Sequence, residues 1–300
     1  MKINNLADVT LEELEAAQDS LVPEEVIIKG TEYGRPTYAY SLKSAIAMKK
    51  AIKEIIDGIP PSIKDDKKAA FAYVYVKLAY MLQKNAYHEE IYFLSGYYLD
   101  RAEDAGIDFD VSASENLSGL LTGKTLWKGQ CLILEEIAKE LGIEARTIYG
   151  GACFYDRKNS FSSWTQVKFD DTWYNCDLYS DVKFIKSGNK LPRFLKSDAD
   201  ANFYYKPRYK VPEPCNVSIS DEEQERLITP ARDLVLEEIA IQEQKRQEEE
   251  ARQLKEKRER EVSEQVEQKL KRIPSFLMPY VKEKIERKVR AKHIKRHGNW

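Results

Sequence analysis

Along the first third of the chain, apolar residues recur at helical rather than strand spacing. The stretch TLEEL sets Thr10 three positions before Glu13. In that arrangement the hydroxyl and the carboxylate each accept a backbone N–H, so a helix is expected to start there. In SLKSAIAMKKAIKEIIDG, Leu42, Ile46, Ala51 or Ile52, and Ile55 gather near one face, and Gly58 and Pro60 end the pattern. The stretch DDKKAAFAYVYVKLAYMLQKN reads as a third amphipathic helix, rich in tyrosine.

The middle of the chain changes period. Trp127, Cys131, Leu134, Ala138 and Leu141 recur in steps of four and three, the buried stripe of a helix that Gly142 should end. Then come ARTIYGGACFY, SSWTQVKF and TWYNCDLY, short segments rich in β-branched and aromatic residues, with Asp170-Asp171 as the turn between the last two. This predicts a helix followed by an antiparallel meander. From Thr229-Pro230, read as a cap and a first-turn proline, a charged segment runs unbroken to Ile273, a helix of roughly 65 Å at 1.5 Å per residue. Leu234, Val235, Leu236, Ile239 and Ile241 are expected to dock its first part on the body. Farther along, Ala251, Leu254, Val262, Val266, Leu270 and Ile273 form a thin stripe, which suits either a solvated charged helix or a partner-binding coiled-coil rod. Pro274 breaks the pattern, and Leu277, Val281, Ile285 and Val289 then recur at four-residue steps among basic residues.

Charge changes this picture at one end. The net charge of -2 conceals ten Lys/Arg against two Glu from Lys271 onward, which leaves the preceding residues near -10. Lys282, Lys284, Arg287, Lys288, Arg290, Lys292, Lys295 and Arg296 make the last segment a basic amphipathic tail. Nucleic acid, an acidic membrane surface and an acidic protein are all candidate partners, against the plainer role of a solubilising or self-docking helix. His293 and His297 are expected to add to the basic face. The N-terminus carries no signal-peptide pattern and no apolar run approaches membrane-spanning length, so the chain is read as cytoplasmic. Cys131, Cys153, Cys176 and Cys215 lack paired spacing, and His88, His293 and His297 form no ligand cluster. Reduced thiols, no metal and no cofactor are therefore expected.

The stretch SGLLTGKTLWKGQC invites two chemical readings. A phosphate loop requires Gly-x-x-x-x-Gly-Lys-Ser/Thr after a buried strand, but Ser118 stands at the first glycine position, before Gly123 and Lys124, and ASEN precedes it. The second reading is a thiol site. The string LSGLLTGKTLWKGQCLILEEIAKELGIEARTIYGG, with SSWTQVKFDDTWYNCDLYSD after it, resembles the transglutaminase-like superfamily, particularly its bacterial papain-like members. That family has GKG-x-C-x-G opening a helix that ends in LGI-x-A, then a HAWN-x-V strand and a closing W-Y-x-x-D. Gly123, Lys124, Gly129, Leu141, Gly142, Ile143 and Ala145 match without gaps, and Trp164, Val167, Trp173, Tyr174 and Asp177 match the later strands.

The resemblance implies a papain-like α+β core, a central helix packed on an antiparallel sheet, and it places the family's nucleophile at Trp127, its histidine at Ser162 and its aspartate at Asp177. Indole cannot attack a carbonyl and a serine hydroxyl cannot serve as a base near neutral pH, so the triad is degenerate and no catalytic residue is expected. Cys131 is the fallback nucleophile. It lies one turn inside the helix, away from the free N–H groups that would stabilise a thiolate. Trp127 is either a core aromatic or, with Lys128 and Trp164, part of a peptide-binding remnant of the cleft.

The expected organisation is N-terminal helices over 1–95, the transglutaminase-like core over 96–228, a long charged helix over 229–273 and the basic tail over 274–300. The expected function is that of an inactive pseudoenzyme, a scaffold meeting a protein partner or a second copy through the long helix. A divergent thiol hydrolase or amide-transfer enzyme using Cys131 is the alternative, and a nucleic-acid-associated structural protein a weaker one.

Overall fold

The computed structural model describes residues 1–19, 25–29, 38–82, 117, 119–122, 125, 127–154, 157–200, 205–207, 213–271 and 277–297. Ser118, Gly123 and Lys124 of the phosphate-loop reading, His88, Ile273 and Pro274 lie outside the described residues. The chain is mixed α and β, with two small sheets and a long C-terminal helix. It divides into two compact units, Met1–Val235 and Leu236–Trp300.

The N-terminal region holds more than helices. Strand β1 (Lys2–Ile3) pairs in parallel with β2 (Glu25–Ile28), which pairs antiparallel with β3 (Tyr38–Ser41). Helix α1 (Leu11–Asp19) starts as expected: Glu13 N donates to Thr10 Oγ1 at 3.1 Å and Thr10 N to Glu13 Oε2 at 2.7 Å. Helix α2 (Leu42–Asp57) is capped by Ser41, whose Oγ accepts from Ser44 N, and is closed by Gly58. Helix α3 (Lys67–Leu82) corrects the amphipathic expectation, because every residue from Ala70 to Val76 is buried. Tyrosine makes this possible: Tyr73 and Tyr75 bury their rings while their hydroxyls donate to Gly58 O at 3.2 Å and Asp181 Oδ2 at 2.9 Å.

After the short α4 (Gly119–Thr122), helix α5 (Trp127–Glu140) is buried from Gly129 through Ala138. Gly142, at φ +67°, turns the chain into the second sheet. Strands β4 (Ala145–Phe154), β5 (Arg157–Phe169) and β6 (Thr172–Cys176) form the antiparallel meander, with β7 (Tyr205–Pro207) on the outer edge of β4. Asp170 and Asp171 both take positive φ, 48° and 61°, the two-residue hairpin geometry that matches strand twist. Helix α6 (Leu178–Ser187) closes this region.

Two buried carboxylates fix α5. Glu135 accepts from Thr147 N at 2.9 Å and pairs with Lys139, and Glu136 accepts from Ala7 N at 3.0 Å, so the helix is tied to β4 and to the N-terminal turn. Each satisfies a backbone donor that burial would otherwise leave without water.

Helix α7 (Asp221–Leu270) corrects the expected start at Thr229-Pro230. It begins nine residues earlier, where Ser220 Oγ accepts from Glu223 N at 3.1 Å and three acidic residues fill the first turn. Pro230 sits inside the helix, where burial of Leu227, Ile228, Ala231 and Val235 outweighs its missing N–H. The docking stretch is thus earlier than expected, and Leu236 and Ile241 are exposed.

In the second unit, α7 meets helix α8 (Met278–His297) as an antiparallel hairpin. Val262, Val266 and Val289 form its buried seam, flanked by Leu270 and Ile285. His293 corrects another expectation. It is buried in the seam, with Nε2 3.2 Å from Glu261 Oε2, instead of lying on the basic face.

Candidate functional site: the head of helix α5

The candidate site is built where α5 begins. Trp127 occupies the first helical position, half-buried, with its ring edge-on to Tyr179 at 6.3 Å between centroids. Its indole N–H is buried and has no hydrogen-bond acceptor among the described residues. The Thr125 hydroxyl, two residues earlier, is buried and unpartnered in the same way. Lys128 follows Trp127, half-buried.

One turn on, Cys131 is 3% exposed. Burial pushes its thiol well above the ordinary cysteine range and the Asp177 charge adds to this, while the Ser163 and Thr165 hydroxyls pull the other way. Cys176 is raised by burial too, and Cys215 is pushed up to about 12, again chiefly by burial. A thiol in such a place is a small apolar side chain at neutral pH.

Asp177 follows β6 and caps α6. Its Oδ1 accepts from Ser180 N at 3.1 Å and its Oδ2 from Ser180 Oγ at 2.5 Å, and it is 4% exposed. Ser162 lies in β5 opposite Gly150. Alternation along β5 then separates the remaining candidates. Thr165 faces α5, donating to Cys131 O at 3.2 Å, so the neighbouring Trp164 lies on the other face of the sheet. The structure therefore gathers Trp127, Tyr179, Cys131 and Asp177 on the α5 side and holds Trp164 apart.

The opposite face carries a polar network that sequence reasoning missed. Trp164 Nε1 and Gln166 Nε2 each donate to Asn175 Oδ1 at 2.9 Å, and Asn175 Nδ2 donates to Asp198 Oδ1 at 2.8 Å. Arg146 donates to Gln166 Oε1 and Glu213 O, and its guanidinium lies 3.9 Å over the Trp173 ring. Arg146, Trp173 and Glu213 line an open cleft of about 600 Å³ with Asn5, Asp8 and Lys139. This cleft sits at the far end of α5 from Trp127. No local signal marks these residues, because their partners are 9 to 67 positions away in sequence.

Asp181 was also missed. It is wholly buried, accepting from Tyr75 Oη at 2.9 Å and Arg193 N at 3.0 Å. Burial, reinforced by the Asp177 charge, raises its carboxyl well above the usual carboxylate range despite these two donors.

Among the described residues no group of three or more His, Cys, Asp or Glu is placed to hold a metal ion. No helix among them is long and apolar enough to cross a membrane. Comparison with models of known protein families gives no match, and comparison with curated proteins gives none either.

Proposed function

We propose that this chain is a degenerate member of the transglutaminase-like superfamily that has lost thiol chemistry and works as a structural, protein-interacting scaffold. The element order supports the kinship, with a helix led by Trp127, then a meander in which Ser162 lies on the middle strand and Asp177 follows the last. The observation that carries the loss is the engagement of Asp177. Both of its carboxylate oxygens bond to Ser180, so the group that would orient a histidine instead starts a helix. The two thiols near it, Cys131 and Cys176, are buried and pushed toward their neutral forms. Deleting one member of a comparable triad costs on the order of a millionfold in turnover, and two of the three are replaced here. The exposed length of α7 beyond Val235 adds little to the core and is the part offered to partners.

The test is site-resolved alkylation of Cys131 in the folded chain from about pH 5 to pH 9. Labelling that is absent until the chain unfolds is expected. Rapid labelling with a midpoint well below about pH 8 would reveal an activated thiol and overturn the proposal.

A further inference from the structure

The second unit presents two surfaces of opposite charge and similar length. Helix α8 doubles back along α7, with His293 near its end opposite Glu261. It therefore leaves uncovered the stretch of α7 from Leu236 to about Glu256, roughly 30 Å long and close to the length of the twenty-residue α8 itself. The first part of that stretch, Leu236 to Glu250, holds six glutamates against Lys245 and Arg246. Helix α8 holds eight Lys/Arg against two glutamates, and seven of those cations are exposed.

Helical geometry sharpens the match. Counting back from Val262, the seam side of α7 continues through Lys255, Ala251, Glu248, Gln244, Ile241 and Glu237, a strip that beyond Lys255 is apolar, amide or acidic. Ile241, on this strip, is 48% exposed. On α8, Lys284, Lys288 and Lys295 fall along one ridge at spacings of four and seven, all exposed. Two thin seams of this kind cover little apolar surface in a lone hairpin, and a second pair of helices would cover more.

We infer that the partner of the long helix is a second copy of this chain, with the basic ridge of α8 from each copy lying along the acidic, uncovered half of α7 of the other. The contact is reciprocal and closes as a two-fold dimer. It rests on the scaffold reading and names that scaffold's partner. Nucleic acid fits the same ridge less well, because the glutamates of Leu236–Glu250 would repel phosphate along the same unit.

Sedimentation equilibrium of the full chain at about 0.05 M and about 0.5 M salt tests this, with the concentration raised to about 0.1 mM. A dimer at low salt is expected, weakening about tenfold or more at high salt. The triple variant Lys284→Glu/Lys288→Glu/Lys295→Glu should be monomeric, as should Glu237→Lys/Glu248→Lys/Glu250→Lys, and an equimolar mixture of the two should recover a heterodimer. Helix content by circular dichroism checks that each variant is folded, and Lys284→Gln/Lys288→Gln/Lys295→Gln, expected to be intermediate, replaces the first if it is not. A monomer at low salt, dimers that survive either reversal, or a mixture that stays monomeric would each overturn the inference. So would a monomer that binds a short DNA duplex through the same lysines. Cys131 labelling is independent of all these outcomes, so failure of the dimer and failure of the inactive-site reading can be told apart.

Discussion

Replacing Asp177 separates a structural carboxylate from a catalytic one. In Asp177→Ala the first turn of α6 loses the acceptor for Ser180 N, a cap contribution of about 1 kcal/mol. The Ser180 hydroxyl loses a short bond to a charged acceptor, a further 1 to 2 kcal/mol or so at this largely buried position. The expected total is about 2 to 3 kcal/mol. Asp177→Asn keeps one oxygen for Ser180 N and leaves the Ser180 hydroxyl free to accept from the amide, so its cost should fall below about 1 kcal/mol. Urea unfolding followed by tryptophan fluorescence measures both values, since three of the four tryptophans, Trp127, Trp164 and Trp173, belong to the first unit. The midpoint should drop for the alanine variant with an unchanged slope, and much less for the asparagine variant. Equal stability of wild type and Asp177→Ala, within about 0.5 kcal/mol, would refute the capping argument. A change in Cys131 labelling rate without a change in stability would point back to an orienting role in a thiol site.

Three other perturbations probe groups that hold the first unit and the hairpin together. Because the folded pKa of Asp181 lies above its unfolded value, the native state retains a proton that the unfolded chain has released. Stability should thus fall as pH rises from about 4 toward the folded pKa, by up to about 1.4 kcal/mol per pH unit. Asp181→Asn removes this component, so its advantage over wild type should grow across that window in unfolding measured at successive pH values, and parallel profiles would count against the burial argument. Glu135→Ala leaves Thr147 N buried without its acceptor and should cost about 1 to 3 kcal/mol, whereas Glu135→Gln keeps an oxygen there and should cost distinctly less. Val289→Ala removes about 1 to 2 kcal/mol of seam burial, and hydrogen exchange should show faster opening of α8 with α5 unchanged.

What could be read from the sequence was local. The Thr10–Glu13 box, the helix stop at Gly58 and the paired aspartates at 170 and 171 each depend on residues within four positions of one another, and each stands in the structure. What escaped depended on distant partners. Strand β1 is two residues long and exists through pairing with Ile27 and Ile28, which no local pattern announces. The stripe on α7 was legible as apolar, but its cover, α8, could not be chosen from spacing alone. The same holds for His293, whose charge suggested solvent while Glu261, 32 positions away, gave it a buried partner. Pro230 misplaced a helix start because its local penalty is outweighed by tertiary burial on both sides. At the candidate site the resemblance pointed to Trp127, Ser162 and Asp177, but the use of Asp177 as a cap and the separation of Trp164 from α5 required the register of β5 and the start of α6.

These particulars also explain how the first unit stays folded if its thiol chemistry is gone. Reactive groups at the head of a buried helix cost stability, since a charged thiolate and imidazolium must be desolvated there. A tryptophan at that place fills volume and needs no counter-charge, at the cost of one buried N–H without an acceptor. The polar groups that fix α5 lie toward its other end, where Glu135 and Glu136 hold the backbone of β4 and of the N-terminal turn. On the proposed reading, loss of thiol chemistry at one end of the helix would leave its anchorage intact at the other. What holds the fold here is then the two glutamates rather than the positions that the resemblance names. On this argument Trp127→Cys should fold without disturbing those anchors and still fail to yield an activated thiol, because Asp177, the orienting carboxylate that the resemblance implies, is held by Ser180.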